Sequence, residues 1–399
     1  MTTEQKELVK ATVPVLKENG VLLTTYFYNR MFTHNPELKH MFNMGNQQNQ
    51  KQQTALAMAV LAYAEHIENP AVLMPVLDSI GQKHTSLSIR PEHYAIVGHH
   101  LLSSIAEVLG EAATPALLDA WKAAYRQLAG LMTAHESKLF EQQVAKRGGW
   151  TGWRPFIIKR KVKESEEITS FYLYPSDQGP IAGFIPGQYI SVRLFLPEIN
   201  LLQPRQYSLS AAPNHEYYRI SVKKEKGSEH PDGLISNRLH DHMEEGSIID
   251  VSAPAGNFIL NAETQHPVVF ISGGVGQTPL ISMLESLISN NNNQPITWIH
   301  GCRSKEVHAF QQQVTEWSEK HNNLNHHLFY SQHSEHQQAI PGMVELEQVG
   351  THILAADTQY YICGPSGFIK KHYDYLTENG IQKEAIFFEE FGPASLQLN

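Results

Sequence analysis

Cysteine is scarce in this chain. Its 399 residues hold two, Cys302 and Cys363. That count excludes a disulfide framework and a multi-cysteine zinc or iron–sulfur site. Reduced thiols suit a cytoplasmic protein, which is the expected location. Long apolar runs are missing too. No stretch approaches the roughly 18 apolar residues of a spanning helix, so stable membrane insertion is not expected. The first residues, MTTEQKELVK, have no apolar stretch of the kind a secretory leader carries. Basic blocks and amphipathic basic helices are absent, and the net charge is −9. Nucleic acid and anionic lipid are therefore not expected partners. Charged residues make up 18% and apolar residues 41%, which leaves ample material for cores and little reason for disorder.

A chain of this length suggests two to four domains at roughly 100–200 residues each. Apolar residues recur at three- and four-residue spacing in Val13–Phe32, Thr54–Ile67, Val72–Gln82, Pro91–Leu109 and Pro115–Ala145. This is the period of helices packed on one face. Pro36, Pro70, Pro75, Pro91 and Pro115 punctuate helix starts, where a missing N–H costs little. The texture changes at Gly148-Gly149-Trp150. Short β-rich runs follow at Phe156–Val162, Ile168–Tyr174, Gln188–Phe195, Tyr217–Val222 and Ser247–Val251, separated by the turn signals PSDQGP, IPGQ and LPEIN. From about His266, apolar strands (Pro267–Ile271, Ile296–His300, Leu324–Tyr330, Gln359–Cys363) alternate with helical stretches (Thr278–Ser289, Glu306–Glu319, Ser366–Asn379). The expected fold class is therefore multidomain. An all-α domain (1–147) precedes an antiparallel β-barrel (148–262) and an α/β domain with a parallel sheet (263–399).

The strongest local motif is ISGGVGQTP, Ile271–Pro279. A strand runs into Gly273, Gly274 and Gly276, then Gln277, Thr278 and Pro279 open a helix. Glycines let the backbone approach a pyrophosphate, and the helix start offers free N–H groups. Taken alone, such a loop is also an ordinary strand-to-helix turn. Gln203–Ser210 (QPRQYSLS) resembles the RxYS signature of the ferredoxin reductase superfamily. That resemblance implies FAD, with Arg205 on its pyrophosphate, Tyr207 against the isoalloxazine and Ser208 near N5, and with Tyr189 and Gln206 among the flavin-binding residues. Gly233-Leu234-Ile235-Ser236 resembles the same family's second phosphate segment, with Gly233 and Ser236 as its contacts. Cys363-Gly364-Pro365 resembles the strand end that lies near the nicotinamide. Phe391, in FEEFGP, resembles the C-terminal aromatic that shields the flavin, although the common pattern has Cys where Glu390 stands. After Ile296–His300 no acid stands ready for a ribose 2′-hydroxyl, whereas Arg303 and Ser304 could meet a 2′-phosphate. NADH and NADPH both stay open as coenzymes.

The segment GQKHTSLSIRPEHY, 81–94, is where the chain most closely resembles bacterial flavohaemoglobins, and the likeness runs from Phe27 to Pro393. The segment Lys226–Pro231 is enlarged relative to shorter members and is expected to be a surface loop. The resemblance implies haem b held by His84 as iron ligand. It implies a proximal Glu136 that accepts the imidazole N–H and a Tyr94 that orients the carboxylate, pushing electron density towards iron. It places Tyr28, Gln52 and Leu56 on the distal side, where Tyr28 would donate to O₂, and makes Phe42 the aromatic stacked on haem. The implied activity is nitric oxide dioxygenation, in which O₂ and nitric oxide become nitrate with electrons passed from NAD(P)H through FAD. A monomer is expected. Two other readings stay open: a haem globin that senses or stores O₂, and a reductase acting on ferric chelates or quinones.

Overall fold

The structure is a computed structural model, and it describes residues 1–48, 50–227, 232–261, 265–332 and 339–391. Much of the 226–231 loop, the boundary expected at 262/263, and Gly392 and Pro393 lie outside the described residues. The chain forms two compact units: Met1–Trp153 with Arg193–Arg205, and Arg154–Val192 with Gln206 onward.

The first unit is helical. Its opening helix, Thr3–Ala11, begins at a capping box. Thr2 Oγ1 accepts from Gln5 N at 3.1 Å, and Gln5 Oε1 accepts from Thr2 N at 3.0 Å. Helices Val13–His34, Lys51–Glu65, Met74–Ser86, Pro91–Leu109 and Pro115–Ala145 follow. The helix expected to start at Val72 starts at Met74, because Pro70 opens a separate 3₁₀ turn, Pro70–Leu73. Phe27, Met31, Tyr63, Ile67, Ala120 and Ala124 form the centre of the core. Close packing between two of the helices depends on Gly98, where a Cβ would lie 2.3 Å from Tyr125 Cε1. Tyr125 in turn donates its hydroxyl to Tyr94 O at 2.5 Å.

Residues 193–205 also belong to this unit, and Gln203 binds them there. Gln203 is fully buried. Its Oε1 accepts from Met44 N at 3.0 Å, and its Nε2 donates to Lys39 O at 2.9 Å. Leu202 N donates to His40 Nδ1 at 3.0 Å.

The β-rich stretch provides β1 (Arg154–Lys163), β2 (Ile168–Pro175), β3 (Tyr189–Leu196), β4 (Leu201–Ser208), β5 (Tyr218–Lys223) and β6 (Ile248–Val251). They form one sheet in the order β4-β3-β6-β1-β2-β5, with β1 antiparallel to β2 and β6 and β2 antiparallel to β5. A bulge between Ile158 and Arg160 bends β1. The segment after Gly233, read from sequence only as a phosphate contact, is a helix, Leu234–His242.

The last part carries β7 (Val268–Gly273), β8 (Ile296–Cys302), β9 (Leu324–Tyr330), β10 (Ile340–Pro341), β11 (Gln359–Gly364) and β12 (Ile386–Glu390). All five neighbouring pairs in the order β10-β9-β8-β7-β11-β12 are parallel. Continuous apolar runs such as VVFI suit strands covered on both faces. Helices Gln277–Ser289, Gln311–Lys320 and Ser366–Glu378 complete the expected alternation. The middle one begins five residues later than its periodicity predicts. The 3₁₀ turn Lys305–Val307 and Phe310, at φ +60°, precede it. From β7 the order runs to β8 on one side and to β11 on the other, a topological switch point at which α/β sheets bind ligands.

Gly98→Ala is expected to destabilise the helical unit by roughly 1–3 kcal/mol through overpacking against Tyr125. A lowered denaturant midpoint with unchanged slope would bear this out. An unchanged midpoint would mean that the Tyr125 ring yields freely.

Candidate functional site

Three helices of the first unit deliver three polar side chains to one point. His84 comes from Met74–Ser86, Tyr94 from Pro91–Leu109 and Glu136 from Pro115–Ala145. His84 Nδ1 lies 2.7 Å from Glu136 Oε1 and 3.0 Å from Tyr94 Oη. Tyr94 donates to the same Glu136 Oε1 at 2.6 Å. Glu136 is only 3% exposed, so these two donors are what make a buried carboxylate tolerable. Burial, then the Glu136 hydrogen bond and charge, keep Tyr94 protonated far above the ordinary phenol range. Because Nδ1 is committed to the carboxylate, Nε2 is the nitrogen left to ligate a metal.

Tyr28, Phe42 and Leu56 belong to the same core cluster. The rings of Tyr28 and Phe42 meet edge to face at 5.8 Å. Burial raises the Tyr28 hydroxyl well above its usual range, and the Gln52 and Gln47 side chains pull it partly back. Gln52 and Leu56 lie on one helix, Lys51–Glu65. Gln52 Oε1 and Gln47 Nε2 are shielded from solvent with no protein partner. An unsatisfied amide oxygen on Gln52, beside a buried phenol, fits a pocket that receives a polar ligand. A haem iron ligated by His84 is compatible with this donor set. Lys83, the neighbour of His84, was not singled out by sequence. Its ammonium pKa is lowered, first by burial and then by the Arg205 guanidinium.

In the second stretch, β4 carries Arg205, Gln206, Tyr207 and Ser208 in register. Arg205 Nη1 donates to Pro204 O at 2.7 Å, Gln206 Nε2 donates to Ser191 Oγ at 3.0 Å, and Ser208 is buried. Tyr189 bridges to Ala255 through its backbone. Gly233 caps its helix so closely that a Cβ would meet Ser236 Oγ at 2.4 Å. Ser236 Oγ donates to Gly233 O at 3.1 Å.

The glycine turn leaves β7 at Gly273 and passes through Gly274 at φ +56° into the helix that starts at Gln277. Gly276 is required by closeness, since a Cβ there would lie 2.2 Å from Cys363 O. Gly364 and Gly273 both pack under Phe368. Thr278 Oγ1 donates to Val275 O at 3.1 Å, and Pro279 is buried in the helix's first turn. Gln277 is 1% exposed, and both of its amide atoms lack a protein partner. A buried, unsatisfied amide at the mouth of a glycine turn fits a bound dinucleotide. Burial, and next the Glu389 charge, push the Cys363 thiol well up. Glu389, paired with Cys363 across β11 and β12, is a residue that sequence reasoning passed over. Burial raises its carboxyl to about 8. Glu390 accepts from Ser366 Oγ, and Phe391, just past β12, stays 41% exposed. Arg303 pairs with Glu167 while its side chain stays 58% exposed.

Residues 25–132 match the globin family, 155–259 the oxidoreductase FAD-binding domain and 270–373 the oxidoreductase NAD-binding domain. A flavohemoprotein of Bordetella parapertussis is 48% identical over 398 residues, covering 98% of each chain. One of Chromobacterium violaceum is 48% identical over 400 residues, again with 98% of each covered. Among solved structures, the flavohemoglobin of Malassezia yamatoensis with bound FAD and heme has a TM-score of 0.87 at 26% identity, over 98% of this chain and 99% of that one. The flavohem-like FAD/NAD-binding domain of nitric oxide dioxygenase from Vibrio cholerae O1 biovar El Tor scores 0.56 at 36% identity, over 60% of this chain and 99% of its own. Helical, antiparallel and parallel parts in this order, together with these matches along nearly the whole length, show that the chain belongs to the flavohemoprotein family of NAD(P)H-dependent oxidoreductases, a haem globin joined to FAD- and NAD-binding domains.

Proposed function

We propose that the chain is a nitric oxide dioxygenase, combining nitric oxide and O₂ into nitrate and detoxifying nitric oxide in the cytoplasm as a monomer. The observation that carries this is the shared Glu136 Oε1, which accepts from both His84 Nδ1 and Tyr94 Oη. A globin that only stores O₂ needs no anionic acceptor behind its ligand and no attached hydride acceptor. The Vibrio cholerae relative of the reductase part bears the nitric oxide dioxygenase name, which supports the same reading.

When bound, haem supplies iron that activates O₂, and FAD divides the hydride of NADH or NADPH into single electrons. The protein's own groups do the rest. Glu136 holds the Nδ1 proton of His84 and makes the imidazole a stronger donor through Nε2. Tyr94 fixes the carboxylate and takes the lone pair that would otherwise bind water. Tyr28 offers a hydroxyl that stays protonated, so it donates a hydrogen bond and never an anion. Gln52 adds a polar contact, while Leu56 and Phe42 exclude water. Gly273, Gly274, Gly276, Gln277, Thr278 and Pro279 would hold the coenzyme, with Cys363, Gly364 and Pro365 as further residues of its site. Arg205, Gln206, Tyr207, Ser208, Tyr189, Gly233 and Ser236 would hold the flavin, and Phe391 would shield it.

The protein, loaded with haem and FAD, should consume nitric oxide aerobically with NADH or NADPH and release one nitrate per nitric oxide. Anaerobic coenzyme should bleach the flavin and reduce the haem. Flavin reduction with haem left ferric would sink the proposal and favour a reductase for other acceptors. Glu136→Gln should retain haem and lose on the order of 10–100-fold in nitric oxide consumption, as outer-shell changes at metal ligands do. Tyr28→Phe should release O₂ faster than the parent in stopped-flow measurements; an equal rate would leave Tyr28 a packing residue only.

A further inference from the structure

At the carboxyl end of β8, three metal-binding side chains converge outside the sites described above. Ligand atoms of His300, Cys302 and His308 all lie within 4.8 Å of one another. His300 is fully buried and His308 is 4% exposed. Both Nε2 atoms are shielded from solvent and without a protein partner. Each ring is oriented by its other nitrogen. His300 Nδ1 lies 2.8 Å from Ser272 Oγ, which also lies 3.3 Å from Ile299 O. His308 Nδ1 lies 2.8 Å from Tyr330 Oη. The rings stack at 4.5 Å. An imidazole whose one nitrogen is fixed by an oxygen, with the other bare and buried, is the arrangement metal-ligating histidines show. The Cys302 thiol completes the cluster and donates to the Ser304 carbonyl at 3.3 Å.

We propose that His300, Cys302 and His308 form a zinc(II) site in the NAD-binding domain, with His300 Nε2, His308 Nε2 and the Cys302 thiolate as ligands and a fourth tetrahedral position open to water. Two imidazoles and one thiolate are the donor set that borderline-soft, d¹⁰ zinc takes. Bond lengths of about 2.0–2.3 Å place tetrahedral donors roughly 3.4–3.6 Å apart, so the cluster needs to contract by only about 1 Å on binding. Cys302 is the one partly exposed member of the three, so a metal would reach the cluster from its side. On binding, the Cys302 S–H bond breaks, sulfur bonds zinc and the proton passes to solvent. Nothing in this proposal depends on the nitric oxide chemistry, because these residues touch none of the haem or flavin groups named above.

The test uses the untagged protein loaded with haem and FAD, stripped with a chelator, then titrated with zinc sulfate against a chromophoric competitor and examined by X-ray absorption at the zinc edge. The expected result is one tight zinc per chain with one sulfur at about 2.3 Å and nitrogens at about 2.0–2.1 Å. Cys302→Ser should remove the sulfur and weaken binding by more than the roughly 10–100-fold that losing an outer-shell partner costs. Because serine differs from cysteine by a single atom and Cys302 is not fully buried, this variant should keep the zinc-free melting temperature. A purely nitrogen and oxygen shell in the parent protein would show scavenging by surface histidines and overturn the proposal. So would a sulfur signal that persists in Cys302→Ser, or an affinity that this change leaves untouched.

Discussion

A carboxylate sealed inside a helical core is the constraint on which the first unit turns. Glu136 cannot be buried as an anion without donors, and its two donors come from two other helices. His84 and Tyr94 thus fix the mutual placement of three helices while satisfying one charge. The same bonds that settle the electrostatics also set the tautomer and direction of His84. Stability and the aim of the candidate iron ligand are therefore one problem with one solution. Tyr125 extends it, since its hydroxyl fixes the backbone at Tyr94 and its ring requires the bare Gly98.

The parallel sheet concentrates its chemistry differently. Its polar features cluster where strands end and backbones crowd. Gly276 passes against the Cys363 carbonyl, Gln277 keeps an unsatisfied amide, and Glu389 faces Cys363 on the next strand. The interior supplies the rigid support: Trp298, Phe270, Tyr361 and Phe329 are fully buried. A stiff interior with a close-packed, under-satisfied rim suits a ligand-binding edge.

Much of this was legible in the residue order, for physical reasons. Helix period, proline starts and the strand–glycine–helix run are local signals, so Pro91–Leu109 and Pro115–Ala145 fall where periodicity puts them. The meeting of His84, Tyr94 and Glu136 was not local. Their separations in sequence carry no geometry, and only the likeness to a known family suggested it. What escaped was whatever depends on tertiary crowding. Glu389 reads as an ordinary acidic tail residue until β12 pairs it with Cys363. Arg303 reads as an isolated cation until the fold brings Glu167, which precedes β2, against it. The helix Leu234–His242 hid because nine residues give the period too little length to declare itself.

Gln203 bears on how such a chain can be divided. By sequence texture it belongs to the barrel, yet its amide is spent entirely on the helical unit and its neighbour. Met44 N and Lys39 O therefore have partners that arrive about 160 residues later in synthesis. A globin cut out at residue 147 would emerge with that donor and acceptor uncovered. The helical unit is thus completed by a stretch, 193–205, that lies well beyond its last helix in the chain, so its boundary in space is not its boundary in sequence.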